Sequence, residues 1–198
     1  SKLEAIWNRT FSSDDAKREA EVLHMMMASR LEGETARPSV EALLHALLPF
    51  TYVVHLHPAL VNGLTCAVEG AKYTRKLFPE ALWIELVKPG FILADTVRKA
   101  LTPLRNVPNL IVLQNHGIFV GGESLKEIDG LYRHVLFTLR ANLERDVDER
   151  PVAVDSTILD PIRKELRTLF AGEVAYFHTN DTKSFLSGEK SFHPISSS

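Results

Sequence analysis

Apolar residues recur at helical spacing near the start of the chain. Asp14 and Asp15 favour a helix start, because they place hydrogen-bond acceptors and negative charge at the positive end of the helix dipole. The apolar period then continues to Leu31. A second, short helix is predicted from Ser39 to the residue before Pro49.

Three further helices are predicted towards the C-terminus. A turn at Pro89 precedes a helix over residues 92–101. Residues 124–127, Ser-Leu-Lys-Glu, have the capping-box pattern, which pairs two free backbone amides at a helix start. The amphipathic helix that follows continues to residue 143, and the last helix covers about residues 156–170.

Three segments have the composition of β-strands. β-Branched and aromatic residues dominate residues 51–57, and Pro58 should end that strand because it has no N–H to donate. Residues 110–120 form a strongly apolar second strand that two glycines close, and a shorter strand is predicted at residues 174–178. Strands that alternate with helices predict an α/β or α+β fold.

The charged stretch at residues 144–150, followed by Pro151, marks a boundary. We therefore expect one domain over residues 1–150. We expect residues 151–198 to form a C-terminal extension that packs on this domain or leads to a further domain.

The composition is that of an ordinary globular protein. The 198 residues are enough for a full core, and 45% of them are hydrophobic. The formal net charge of -2 leaves no basic excess for a phosphate backbone, so we expect no nucleic-acid partner. Cys66 has apolar neighbours and is expected to be a buried thiol. A charged N-terminus unlike a signal peptide and the lack of a membrane-length apolar stretch predict a cytoplasmic protein.

His55 and His57 lie two residues apart on the first predicted strand, so their side chains should point to the same face. Two imidazoles in this arrangement can reach one metal ion from a rigid platform. The opposite face, Tyr52, Val54 and Leu56, is apolar and is expected to pack inward. Two nearby histidines are also common as plain polar strand residues, so the pair alone leaves both interpretations open.

His116 adds a third imidazole at the end of the second apolar segment. On one continuous strand, Val112, Gln114 and His116 share a face, and Gly117 would let the backbone approach another element closely. Open catalytic zinc sites are usually assembled with a ligand from a separate strand. A strand-end histidine bonded to a carbonyl is the simpler alternative.

Glu41 lies in the first turn of the short helix, where the helix dipole favours a carboxylate. A solvated helix-start glutamate is the alternative interpretation. His45 lies one turn later on the same face, where it could hydrogen-bond Glu41, stabilise an anion or belong to the core. Its role stays open.

Three motifs stand out in the sequence: Pro-Ser-Val-Glu-Ala-Leu-Leu-His at residues 38–45, Val-His-Leu-His-Pro at residues 54–58 and Gln-Asn-His-Gly-Ile at residues 114–118. Together they resemble the class II aldolase/adducin head domain family. The resemblance extends from about residue 37 to residue 143. It is closest to the sugar-phosphate aldolase portion of long rhamnulose-phosphate aldolase/alcohol dehydrogenase-type proteins.

The resemblance implies a central, largely antiparallel β-sheet flanked by helices in three layers. It implies that His55, His57 and His116 hold Zn²⁺, or another divalent cation, and that Glu41 is both a metal-site residue and the acid/base. The implied reaction is retro-aldol cleavage of a sugar phosphate, a phosphorylated ketose, through a metal-stabilised enediolate. The implied assembly is a homotetramer. The lack of a membrane-length apolar stretch separately predicts no membrane partner.

Two features of the family have no clear counterpart in this chain. They are a loop that binds the substrate phosphate and a tyrosine that acts as an acid. Nothing in residues 1–36 matches the family's Gly- and Asn-rich phosphate loop. We therefore expect an internal piece of a longer protein, or a variant without that loop. Tyr73 and Tyr176 are candidates for the tyrosine acid, and neither is assigned.

Two other functions stay open at this point. A pentulose-phosphate 4-epimerase would use the same metal site and the same enediolate. A catalytically silent adducin-like binding module is the third interpretation, but it would not need three histidines and Glu41. A purely structural zinc site would need a closed shell of four ligands.

Overall fold

The computed structural model describes residues 3–144, 148, 150–170 and 172–187. These residues form two compact units that divide between Asn142 and Leu143. In chain order, the first unit contains α1 Glu4–Trp7, α2 Asp15–Ala28, α3 Ala42–Leu47, β1 Tyr52–Leu56, α4 Ala59–Thr65, α5 Gly70–Leu77, β2 Leu82–Ile84, α6 Phe91–Leu101, β3 Leu110–Leu113, β4 Ile118–Gly122 and α7 Leu125–Ala141. The second unit contains α8 Ser156–Phe170 and α9 Asn180–Leu186.

The four strands form one open sheet in the order β1-β4-β3-β2. β4 pairs antiparallel with both β1 and β3, whereas β2 pairs parallel with β3. The predicted mixed α/β class with a largely antiparallel sheet is therefore confirmed.

Helices cover both faces of the sheet. Side chains alternate along its central strands, so these strands contribute apolar residues to a core on each face. Ile111 and Leu113 pack into one core with α1, α2, α3 and α6. Leu110 and Val112 pack into a second core with α4 and α7. Burying an aliphatic side chain of this size contributes about 1.5–3 kcal/mol. The result is the expected arrangement of three layers.

Local capping contacts explain the helix starts that the sequence predicts. The side chain of Asp14 accepts the backbone N–H of Lys17 at 2.9 Å, and α2 begins at the next residue. The hydroxyl of Ser124 accepts the N–H of Glu127 at 3.2 Å at the start of α7. α2 ends at Ala28, three residues before the predicted end.

The apolar segment at residues 110–120 is two strands, so the prediction of a single strand is wrong. β3 ends at Leu113, and Gln-Asn-His-Gly forms a turn before β4 begins. The N–H of Leu113 donates to the carbonyl of Gly117 at 2.9 Å, and Asn115 has a φ of +55°, which asparagine tolerates better than most residues. Val112, Gln114 and His116 consequently do not share the face of one strand.

The predicted strand at residues 174–178 is also absent from the described structure. The chain there makes one isolated bridge, between Pro151 and Thr179, next to a bond from the N–H of Val152 to the carbonyl of His178. β-Branched composition alone does not make a strand without a partner to complete the ladder.

Cys66, the C-cap of α4, is exposed, so the prediction of a buried thiol is wrong. Of its apolar neighbours, Leu64 packs in the core whereas Val68 is fully exposed, so apolar composition alone does not indicate burial at this helix end. Within the described part of the chain, every helix is too short or too polar to span a lipid bilayer.

Candidate metal centre

Four side chains from three separate parts of the chain meet on one face of the sheet. Glu41 is the N-cap residue of α3, His55 lies in β1, His57 follows β1, and His116 lies in the β3–β4 turn. One ligand atom from each of the four lies within 4.8 Å of the other three. The structure thus brings together all four residues that the sequence singles out.

The face of β1 that carries His55 is directed towards α3. Val53 packs on the core beneath α3, and His55, two residues later, lies on the same face. The prediction that Tyr52, Val54 and Leu56 pack inward holds for Val54 alone, because Tyr52 is 40% and Leu56 is 49% exposed. β1 is an edge strand, so the ends of its outer face are left open to solvent.

Backbone hydrogen bonds hold the turn that carries His116 in place. The N–H of His116 donates to the carbonyl of Leu113 at 3.2 Å. The N–H of Asn115 donates to the carbonyl of Thr65 at 3.1 Å, and the N–H of Gln114 donates to the carbonyl of Ile84 at 2.9 Å. The turn is therefore fixed to α4 and to β2 at once.

Gly117 leaves room for the ring of His57, as the sequence predicts. A Cβ atom at this position would collide with Cδ2 of His57 and would lie 2.6 Å from the carbonyl oxygen of Leu56. A side chain at this position would force either the turn or the imidazole of His57 to shift.

A backbone carbonyl fixes the tautomer of His55. Nδ1 of His55 lies 2.9 Å from the carbonyl oxygen of Ile118. A carbonyl can only accept, so Nδ1 carries the proton and donates it. Nε2 of the neutral ring then presents its lone pair to the other three side chains. Metal-binding histidines are commonly oriented by this kind of bond.

The distances within the group fit one cation. Nε2 of His55 lies 2.8 Å from Nε2 of His57 and 3.3 Å from Nε2 of His116. Oε1 of Glu41 lies 3.2 Å from the same atom of His55 and 3.1 Å from that of His116. Neighbouring ligand atoms of a tetrahedral zinc site are about 3.3 Å apart, and three imidazoles with a carboxylate suit Zn²⁺ and related divalent ions. The residues present therefore fit a divalent metal.

Residues 7–140 match the family described as the Class II Aldolase and Adducin N-terminal domain. The chain belongs to this family. The match includes Glu41, His55, His57 and His116 and all four strands. Class II aldolases depend on a metal, and this group of side chains could hold one.

The individual proteins that this chain resembles have low sequence identity to it. The N-terminal class II aldolase domain of a conserved protein from Thermoplasma acidophilum is 21% identical, with a TM-score of 0.58 over 71% of this chain and 62% of that one. An L-fuculose 1-phosphate aldolase is 16% identical, with a TM-score of 0.41 over 69% of this chain and 67% of that one. The uncharacterized oxidoreductase YuxG of Bacillus subtilis (strain 168) is 28% identical over 113 residues, which are 56% of this chain and 16% of that protein.

Burial favours the neutral, metal-binding form of two of the histidines. Loss of hydration on burial lowers the pKa of His55, and the neighbouring imidazoles of His57 and His116 act in the same direction. Burial likewise lowers the pKa of His116, again with help from His57. The carboxylate of Glu41 opposes both shifts without reversing them.

The group is closed on one side and open on the other. The side chains of His55 and His116 are each 7% exposed, and that of Glu41 is 23% exposed. His57 is exposed. A small molecule can therefore approach the group from the His57 side, which a catalytic site requires and a closed structural site does not.

Two contacts of the group were not predicted from the sequence. The carbonyl of Ile118 orients His55, and the ring of Phe119 stacks on it with centroids 4.0 Å apart. Both follow from the register that sets His55 opposite Phe119. No local sequence motif predicts this register. His45 lies outside the group of four and contacts the edge of Phe119.

Proposed function

We propose that this chain is a zinc-dependent class II aldolase that cleaves a phosphorylated ketose by a retro-aldol reaction. The observation that supports it is the convergence of three imidazole nitrogens and a carboxylate oxygen within 4.8 Å, on a side of the fold that solvent can reach. His55, His57 and His116 would hold the cation, with Glu41 beside it. When bound there, a divalent cation supplies Lewis acidity, which stabilises the charge left on substrate oxygens when a carbon–carbon bond beside a carbonyl breaks.

Glu41 is the proposed acid/base of the reaction. Its side chain is largely but not fully buried, and Oε1 lies 3.1 Å from Nε2 of His116. In the direction of cleavage, the substrate hydroxyl that becomes the aldehyde would release its proton to water, and Glu41 would deliver a proton to the carbon that loses its bonding partner. In the direction of synthesis, it would remove that proton. A positioned carboxylate can act as a general acid and a general base of this kind.

Three imidazoles together with Glu41 favour an enzyme over a binding module, because a scaffold has no need for four converging ligand atoms. The name of the Bacillus subtilis relative, an oxidoreductase, refers to a protein of which the match covers 16%. We therefore propose that the aldolase chemistry belongs to the matched portion. We also propose a cytoplasmic homotetramer that binds a sugar phosphate and neither nucleic acid nor membrane.

The proposal is tested by incubating metal-loaded and chelator-stripped protein with a panel of ketose phosphates. The expected products are a three-carbon phosphate and an aldehyde, formed only with metal. Epimerised ketose without cleavage would instead support the 4-epimerase. Metal binding without any turnover on the panel would support the silent module, and cleavage that survives metal removal would contradict the mechanism.

A further inference from the structure

The ring of Phe119 lies between two histidines that belong to different elements. One side stacks on His55 of β1, with ring centroids 4.0 Å apart and planes 12° from parallel. His45 of α3 meets the same ring edge-on, at 5.3 Å and 69°. Phe119 itself is 1% exposed, so its ring is enclosed by the core.

Phe119 also contacts the helix that presents the carboxylate. Leu43 and Leu44 of α3 belong to the same core cluster as Phe119. Glu41 is the N-cap of that helix, one turn before His45. The ring therefore fills the space between the helix of the carboxylate and the strand of the first imidazole.

We propose that Phe119 is a positioning residue of the metal centre, which orients the ring of His55 and sets its separation from Glu41. The inference rests on the metal site of the proposed function and deepens it. Phe119 offers no ligand atom of its own, and its side chain is 1% exposed. It acts through His55 and α3 alone.

The physical reason lies in the two restraints on the His55 ring. The bond from Nδ1 to the carbonyl of Ile118 fixes one edge of the imidazole. The flat face of Phe119 fixes the ring plane, which a single hydrogen bond leaves free to tilt. A side chain without that face would let Nε2 of His55 move away from Glu41 and His116.

The test compares Phe119→Leu and Phe119→Met with Ile111→Val. Methionine keeps most of the volume without the flat face. Ile111 is the matched control, because it pairs with Phe119 in the sheet, belongs to the same core and is 1% exposed. Affinity for Zn²⁺ is measured by competition with a chromophoric chelator, and Co²⁺ absorption reports the ligand geometry.

We expect both Phe119 variants to bind Zn²⁺ about 10–100-fold more weakly and to change the Co²⁺ spectrum, as changes to residues that orient metal ligands do. We expect Ile111→Val to retain affinity and spectrum. Affinity that is unchanged in both Phe119 variants, or lost equally in Ile111→Val, would overturn the proposal.

A second readout needs no metal. The Nδ1 proton of His55 should give a protected NMR resonance in the wild type and in Ile111→Val, and a broadened or fast-exchanging one in Phe119→Leu. An identical resonance in all three would refute the positioning role. Absence of metal binding or turnover in the wild type would refute the proposed function, and this resonance would still decide the role of Phe119.

Discussion

Oε1 of Glu41 lies 3.1 Å from Nε2 of His116, although 74 residues separate the two in the chain. The same oxygen lies 3.2 Å from Nε2 of His55. A solvated glutamate at a helix start, the simpler interpretation of the sequence, does not describe this carboxylate. Its position beside two buried imidazoles is the basis of the catalytic role proposed for it.

Replacing Glu41 by glutamine should separate metal binding from turnover. Three imidazoles remain to hold the metal, whereas the amide cannot carry the proton, so turnover should fall about 10²–10⁴-fold. Metal content and steady-state kinetics measure the two effects. Glu80→Gln, at an exposed position outside the group, is the control and should behave as the wild type. A fully active Glu41→Gln variant would remove Glu41 from the mechanism.

Replacing Gly117 by alanine should displace His57. The new Cβ would lie 2.6 Å from the carbonyl of Leu56 and would overlap the imidazole, so the turn or the ring has to shift. We expect weaker Zn²⁺ binding, measured by chelator competition. Gly63→Ala is the control, because it has no heavy atom within 4 Å of its Cβ and lies in helix α4. That change should leave zinc affinity intact and stabilise the fold by about 0.5–1 kcal/mol. Equal affinities for the two variants would contradict the role of Gly117.

The metal-free protein should lose stability as the pH falls below about 6.5. Burial lowers the pKa of His55 and His116 from the ordinary value of 6.5, so near that pH the unfolded chain binds more protons than the folded one. The free energy of unfolding therefore rises with pH between the lowered pKa values of these two histidines in the folded protein and 6.5. Above pH 6.5 the contribution of the two histidines to stability is constant. Urea unfolding with chelator present, on both sides of pH 6.5, measures it.

The variant for this experiment is His55→Gln with His116→Gln, in which the pH dependence should be smaller. His24→Gln is the control, because His24 is exposed on α2 and lies outside the group. It should keep the pH dependence of the wild type. A double variant with the full pH dependence would show that other groups are responsible.

The helix starts could be predicted because their causes are local. Asp14 and Ser124 bond to amides three residues away, and that spacing is visible in the sequence. The sequence predicts one strand in place of the β3–β4 hairpin, because the apolar runs on both sides of residues 114–117 look continuous. β2 has three residues and depends on its pairing with β3, so no local pattern indicated it. Residues 174–178 are the opposite case, because their composition predicts a strand but no partner strand exists among the described residues.

The candidate site also has residues that the sequence indicates and residues that it does not. The spacing of His55 and His57 on a strand is a local feature, and the motif order joined them to His116 and Glu41 by resemblance. The contacts of Ile118 and Phe119 with His55 depend on the register between β1 and β4, which the whole sheet determines. A sequence pattern can therefore name the ligands, whereas the residues that orient them become visible only in the folded chain.

Metal stoichiometry is the most direct test of a shared ion. Elemental analysis and Zn²⁺ titration of the wild type, His55→Ala, His116→Ala and His24→Ala compare two members of the group with an exposed histidine outside it. We predict one tightly bound divalent ion per chain in the wild type and in His24→Ala, and a loss of tight binding in the other two. A wild type that binds no divalent ion, or His55→Ala and His116→Ala variants that bind as tightly as the wild type, would contradict the metal centre.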